Sequence, residues 1–153
     1  MKRGMDYTGI SIVFACHDGK GNFLFCKRGS QCRDERGTWD VGGGGLEFGD
    51  TVEQTLRKEI GEEYCTDVLA FERLGYRDVH REQGGVKTHW IALDFKVLVD
   101  RAKVRNGEPH KMEKVEWFTL DSLPDPLHSQ LPLFFRLYKD KLTQTLWADA
   151  KIV

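Results

Sequence analysis

Four consecutive glycines, Gly42 to Gly45, run through Leu46-Glu47-Phe48-Gly49-Asp50 into a segment, Thr51 to Cys65, in which apolar and acidic residues interleave at helical spacing. A main chain without Cβ atoms at four successive positions lets a ligand or a neighbouring element come close. Asp50 or Thr51 is then placed to cap a helix that begins at Val52. At about 100° per residue, Val52, Leu56 and Ile60 span roughly 0° to 80° of the helix wheel, and Glu62, Glu59 and Glu63 roughly 280° to 20°. The carboxylates therefore crowd the edge of the face that the helix must bury.

That overlap separates two readings of the acids. A solvated charged face would lie opposite the apolar stripe, whereas Glu59, Glu62 and Glu63 converge where desolvation of a charge is costly. Between Asp50 and Asp67 six acids face only Arg57 and Lys58, so resident cations are too few to balance them. Oxygen-only ligands suit a hard divalent cation, Mg²⁺ with Mn²⁺ as a substitute, completed by water and substrate phosphates. A merely exposed acidic helix beside a flexible glycine loop is the structural alternative.

The same residues resemble the Nudix box, G-x5-E-x7-R-E-U-x-E-E-x-G-U with U aliphatic, when Gly44 is taken as its first glycine. Asp50 then stands for the first Glu, Lys58 for the Arg, and Glu59, Ile60, Glu62 and Glu63 for the core of the motif. Cys65 and Thr66 replace the closing Gly-aliphatic pair. Trp39-Asp40-Val41-Gly42-Gly43-Gly44 is similar to the lead-in of the same family, with Gly42 where a Pro is usual.

The resemblance implies an α/β fold, the Nudix α/β/α sandwich with a mixed sheet between helices, and a Mg²⁺-dependent hydrolase of nucleoside diphosphate derivatives. It implies metal ligation by Glu59, Glu62, Glu63 and the carbonyl of Gly43, an orienting role for Lys58 on Glu59, and a structural role for Asp50 in fixing the loop to the helix. It places Arg28 and Gly44 against substrate, although Arg28 reads equally as an ordinary cationic strand end. A Glu ahead of the last strand is implied as base, with Glu113 the candidate and Glu116 and Glu108 its rivals. Lys in place of Arg loses a planar two-bond fork, Asp50 is a methylene shorter than Glu, and Cys65 removes a glycine that commonly ends a helix in the left-handed region. A Nudix-fold binding or regulatory module with weakened catalysis is the alternative that these departures motivate. No Pro and a single Tyr, Tyr76, lie between Asp67 and Glu108. Within the family this leans toward nucleoside triphosphates, normal or modified, over nucleotide sugars, ADP-ribose and dinucleotides.

A length of 153 residues predicts one domain over 1–153, with 40% hydrophobic and 31% charged residues typical of a globular chain. The net charge of −1 and dispersed basic residues argue against a nucleic-acid-coating surface and for a small-molecule partner. A homodimer is compatible with the chain. No stretch reads as a signal peptide or as the ~20 apolar residues that cross a membrane. Cys16, Cys26, Cys32 and Cys65 form no C-x-x-C pair, which favours reduced thiols and a cytoplasmic location.

Thr8 to Cys16 and Asn22 to Lys27 predict two strands joined as a hairpin by His17-Asp18-Gly19-Lys20-Gly21. Ser30 to Thr38 reads as a mobile polar wall of the site. Strands follow over Val68 to Val79 and Thr88 to Val99, separated by Arg81 to Gly85, with Asp94 either a buried group with a partner or a reader of a ligand amine. Arg101 to Met112 reads as a loop and Glu113 to Phe118 as a strand. Leu131, Phe134, Phe135, Tyr138 and Leu142 predict a closing helix from about Pro132 to Leu146.

Overall fold

Alternation along the first strand builds both layers of the core. Strand β1, Gly9–His17, sends Ile12, Phe14 and Cys16 to one face and Val13 and Ala15 to the other. β2, Asn22–Arg28, repeats this with Leu24 and Cys26 against Phe23 and Phe25, so both strands are buried on both faces. The computed structural model describes residues 1–144 and 151–152. Among them the chain continues as β3 (Trp39–Asp40), β4 (Gly43–Gly45), α1 (Val52–Tyr64), β5 (Val68–Gln83), β6 (Val86–Val99), β7 (Met112–Thr119), α2 (Leu131–Thr143) and β8 (Lys151–Ile152). The path through the sheet is β3-β2-β1-β6-β5-β8, with β4 paired to β1 and β7 to β2.

Helix α1 covers the first face with Leu56, Ile60 and Tyr64, and α2 covers the second with Leu131, Phe134, Tyr138 and Leu142. This is the mixed α/β/α sandwich. Thr51, rather than Asp50, caps α1: its Oγ1 accepts the Gln54 N–H at 3.1 Å while Gln54 Oε1 accepts the Thr51 N–H at 2.7 Å. At the other end Cys65 takes the left-handed conformation, φ 57°, in the place where glycine is usual. α2 starts and stops close to expectation; Leu146, the expected last residue, lies outside the described residues.

Two expectations are corrected. The turn at His17 to Gly21 forms, with Asp18 Oδ1 accepting the N–H groups of Lys20 and Asn22, but β1 and β2 pair only at His17 and Phe23. From there β1 runs parallel to β6 and β2 antiparallel to β7. A central strand apolar on both faces finds more burial between two neighbours than in an isolated hairpin. The break between β5 and β6 is also narrower than Arg81 to Gly85: the ladder continues to Gln83 and Val86, and only Gly84 and Gly85, both at positive φ, make the turn. Of its two readings, Asp94 is the buried group with partners: Arg77 Nε and Nη2 donate to its two oxygens at 2.7 and 2.9 Å, and Tyr138 Oη donates at 2.7 Å. No helix among the described residues is long and apolar enough to cross a membrane.

Candidate active site

The divergence of β1 from β2 opens a crotch that the glycine segment crosses. β3 pairs with β2 through Asp40 and Trp39, and β4 pairs with β1 through Gly43, Gly44 and Gly45. Between them Gly42, at φ 132°, hands the chain from one strand to the other, and its carbonyl accepts the Phe14 N–H at 3.1 Å. Close packing explains the next glycines. A Cβ at position 43 would lie 2.4 Å from the Ile12 carbonyl oxygen, and one at position 44 would lie 2.4 Å from Glu59 Cδ. Tyr64 fixes the helix to the same segment through a short hydrogen bond from its hydroxyl to the Val41 carbonyl.

α1 thereby delivers three glutamates to the glycines. Glu63 points inward, where its Oε2 accepts the Gly43 N–H at 3.3 Å. Burial pushes the Glu63 carboxyl well above its ordinary range, and Glu108, Glu59 and Asp40 push it further, against the Gly43 N–H. Glu59 is raised by desolvation, then by Glu62 and Glu108, with Lys58 and Lys111 opposing. These acids and Gly42 to Gly45 line a cleft of about 1040 Å³, whose other wall includes Arg77, Arg81 and Trp90. The donor set is oxygen only, and its mutual repulsion is the kind that a hard divalent cation relieves. The residues present fit such an ion.

The other expected residues divide. Gly43, Gly44, Glu59, Glu62 and Glu63 come together, and Arg28 lines the same cleft. The Arg28 guanidinium is turned onto Asp34, with Nη2 to Oδ1 at 2.7 Å and Nε to the carbonyl at 3.1 Å. Lys58 is exposed and acts on Glu59 through charge, without a hydrogen bond or ion pair to it among the described residues. Asp50 is exposed, and Thr51 does the anchoring expected of it. Glu113 is not brought to the cluster: it is exposed and pairs with Lys27 at 3.8 Å.

Of the rivals to Glu113, Glu108 lines the cleft and acts by charge on Glu59 and Glu63. The loop after β6 folds over the end of α1, where Arg105 N–H donates to the Tyr64 carbonyl at 3.0 Å and Gly107 N–H to the Glu63 carbonyl at 2.8 Å. A Cβ at position 107 would lie 2.0 Å from the Glu62 carbonyl oxygen. Gly107 before Glu108 was the available signal, since a glycine beside an acid permits this close approach. The segment from Ser30 to Thr38, expected to be mobile, is tied down by ion pairs from Arg81 to Asp34 and Glu35 at 3.1 and 2.5 Å. His128 and Ser129 also contact Glu35.

The family model for the NUDIX domain matches residues 7–138, and the chain belongs to that family. It is similar to the nucleoside triphosphatase NudI of Enterobacter sp. (strain 638), 29% identical over 120 residues that cover 74% of this chain and 84% of that protein. The protein of the same name from Escherichia coli (strain K12 / DH10B) is 36% identical over 62 residues, 40% of this chain and 44% of its own length. Among solved structures, a MutT NUDIX hydrolase from Burkholderia pseudomallei superposes with a TM-score of 0.76 at 26% identity, covering 86% of this chain and 98% of the other. The NUDIX domain of Shewanella oneidensis NrtR, cocrystallised with ADP ribose, shares the fold at a TM-score of 0.70 and 15% identity, covering 90% of each chain. Membership makes this protein a hydrolase of the class that acts on pyrophosphate bonds, a class that generally uses divalent cations.

Proposed function

We propose that the protein hydrolyses a nucleoside triphosphate, normal or modified, to the monophosphate and pyrophosphate, with Mg²⁺ as its working cation. The observation that carries this reading is the convergence of Glu59, Glu62, Glu63 and Glu108 on Gly43 and Gly44 at one end of a cleft with arginines on its other wall. The nucleoside triphosphatase names of the similar proteins support the substrate class. The unbridged thiols of Cys16, Cys26, Cys32 and Cys65 fit a cytoplasmic location.

In this reading Glu59, Glu62, Glu63 and the Gly43 carbonyl hold the cation. When bound, it supplies Lewis-acid polarisation of phosphoryl oxygens and lowers the pKa of water. Glu108 stands beside Glu59 and Glu63 and takes the proton of the attacking water onto its carboxylate. Lys111 Nζ lies 3.8 Å from Glu108 Oε2 and brings a positive charge beside it. Gly44 leaves the Glu59 carboxyl room against the strand, and Gly43 N–H holds Glu63. Arg81 and Arg28 sit at the cleft wall with Asp34 between them, placed to exchange that partner for substrate phosphate.

The test is a Mg²⁺-dependent hydrolysis screen over nucleoside triphosphates, nucleotide sugars, ADP-ribose and dinucleotides, with phosphate and pyrophosphate measured separately. Pyrophosphate release from triphosphates supports the proposal. Turnover confined to ADP-ribose or nucleotide sugars replaces the substrate class, and nucleotide binding without turnover makes the protein a binding module.

A further inference from the structure

The ribbon of β5 and β6 walls the cleft with only one of its faces. Arg77, Val79 and Arg81 on β5 and Thr88, Trp90 and Ala92 on β6 line the cleft, so the residues between them face away from it. That outer face carries Asp78, His80 and His89. His80 and His89 are direct cross-strand partners, and Asp78 precedes His80 by two residues, which puts all three side chains on one surface. The imidazole rings are stacked, 4.0 Å between centroids and 17° between planes. One ligand atom from each residue lies within 4.8 Å of the other two, and His89 Nε2 is 3.4 Å from Asp78 Oδ1.

The geometry points to a second metal site on this outer face, in which Asp78, His80 and His89 bind a transition cation of the Zn²⁺ class. Two imidazoles and one carboxylate are the donors such a cation prefers, whereas the all-oxygen cluster in the cleft suits Mg²⁺. His89 is set up for this by its other nitrogen. Nδ1 is hydrogen-bonded to Thr8 Oγ1 at 3.0 Å, the kind of outer contact that orients a metal-bound imidazole and leaves Nε2 toward the ion. Bonds of about 2.0 Å in a tetrahedral site separate ligand atoms by roughly 3.4 Å, so closing the site takes a movement of about 1.5 Å together with rotation of the two rings out of their stack, because an imidazole nitrogen binds in its ring plane. His80 and His89 also line a groove of about 260 Å³ together with Gly4 to Thr8.

Occupation ties three pieces together. The His89 N–H already donates to the Gly4 carbonyl at 2.8 Å, so a cation on His89 links the hairpin, through its ring and backbone, to the N-terminal segment that carries Arg3. Arg3 in turn donates to the Leu46 carbonyl at 2.6 Å, at the exit of the glycine segment. The site is thus a structural clamp on the cleft wall, separate from the catalytic carboxylates.

Calorimetric titration of tag-free protein with Zn²⁺, in excess Mg²⁺ that occupies the carboxylates, tests this. One equivalent is expected to bind, weakened at least ~10-fold in His80→Ala and His89→Ala and unchanged in Cys65→Ser and Glu62→Gln. Melting of each variant in chelator identifies any that fail to fold, and Asp78→Asn, exposed and of the same shape, repeats the test. Absence of Zn²⁺ binding to the wild type overturns the site. So does equal binding by the folded histidine and Asp78→Asn variants, or loss of binding in Glu62→Gln or Cys65→Ser.

Discussion

Glu59 seats its carboxyl carbon where a side chain on residue 44 would begin, 2.4 Å from the position of that Cβ. The contact makes Gly44 part of the site without giving it a functional group. Gly44 does not adopt a positive φ, so Gly44→Ala adds no backbone strain and acts only by displacing Glu59. Turnover should fall at least ~10-fold, since an ångström-scale misplacement of a positioned group costs about that much or more. The far-ultraviolet circular dichroism should stay unchanged. Steady-state kinetics at saturating Mg²⁺ check this, and wild-type turnover would show that Glu59 has no need of its present seat.

Glu63 makes the metal-free fold sensitive to pH. Its folded carboxyl sits well above the ordinary value of 4.5, so the native state binds more protons than the unfolded chain between the two values. Its contribution is therefore fully present below 4.5 and is lost as pH rises through the folded value. In chelator at pH 8, Glu63→Gln should melt higher than wild type. Millimolar Mg²⁺ should then raise the wild-type Tm more than that of the variant, reversing or narrowing the order. Thermal melts with and without Mg²⁺ measure both halves, and identical Mg²⁺ shifts would remove Glu63 from the ligand set.

How much of this was readable depends on whether a contact is local in sequence. Glu59, Glu62 and Glu63 share one helix, and the apolar residues Leu56 and Ile60 fix which way that helix faces, so their convergence follows from periodicity. The sequence leaves Asp50 and Thr51 as caps, and Thr51 is the cap because Gln54 three residues on completes a reciprocal pair. The splaying of β1 from β2 was not readable, because it depends on β6 and β7 arriving from far along the chain. Arg28 illustrates the same limit: the strand end was legible, while Asp34, its ion-pair partner, was expected to belong to a mobile loop.

Glu108 and Glu113 separate two expectations for the base. Glu108 lines the cleft and acts electrostatically on both Glu59 and Glu63, whereas Glu113 is exposed and faces Lys27. Glu108→Gln should lower turnover by about 10²-fold or more, within the range of a general base, and Glu113→Gln should stay within about twofold of wild type. A large loss in Glu113→Gln with an active Glu108→Gln would return the role to Glu113.

Arg77 and Asp94 test what holds the cleft wall in place. The pair is buried, its two hydrogen bonds measure 2.7 and 2.9 Å, and Tyr138 from α2 donates to the same carboxylate. Arg77 also lies over the Phe134 ring, 5.3 Å from its centroid, so the guanidinium joins β5 to α2 as well as to β6. Removing one partner leaves a buried charge and a buried hydroxyl without their acceptor. Asp94→Ala should therefore cost about 3–5 kcal/mol, more than an exposed ion pair could account for. Replacing both residues by apolar ones, Arg77→Met with Asp94→Leu, removes the stranded charge and should cost clearly less than the two single changes added together. Urea unfolding of the three variants decides the matter. Additive losses would mean that the two residues stabilise the sheet independently, and that the ion pair is not what anchors β5 at the cleft.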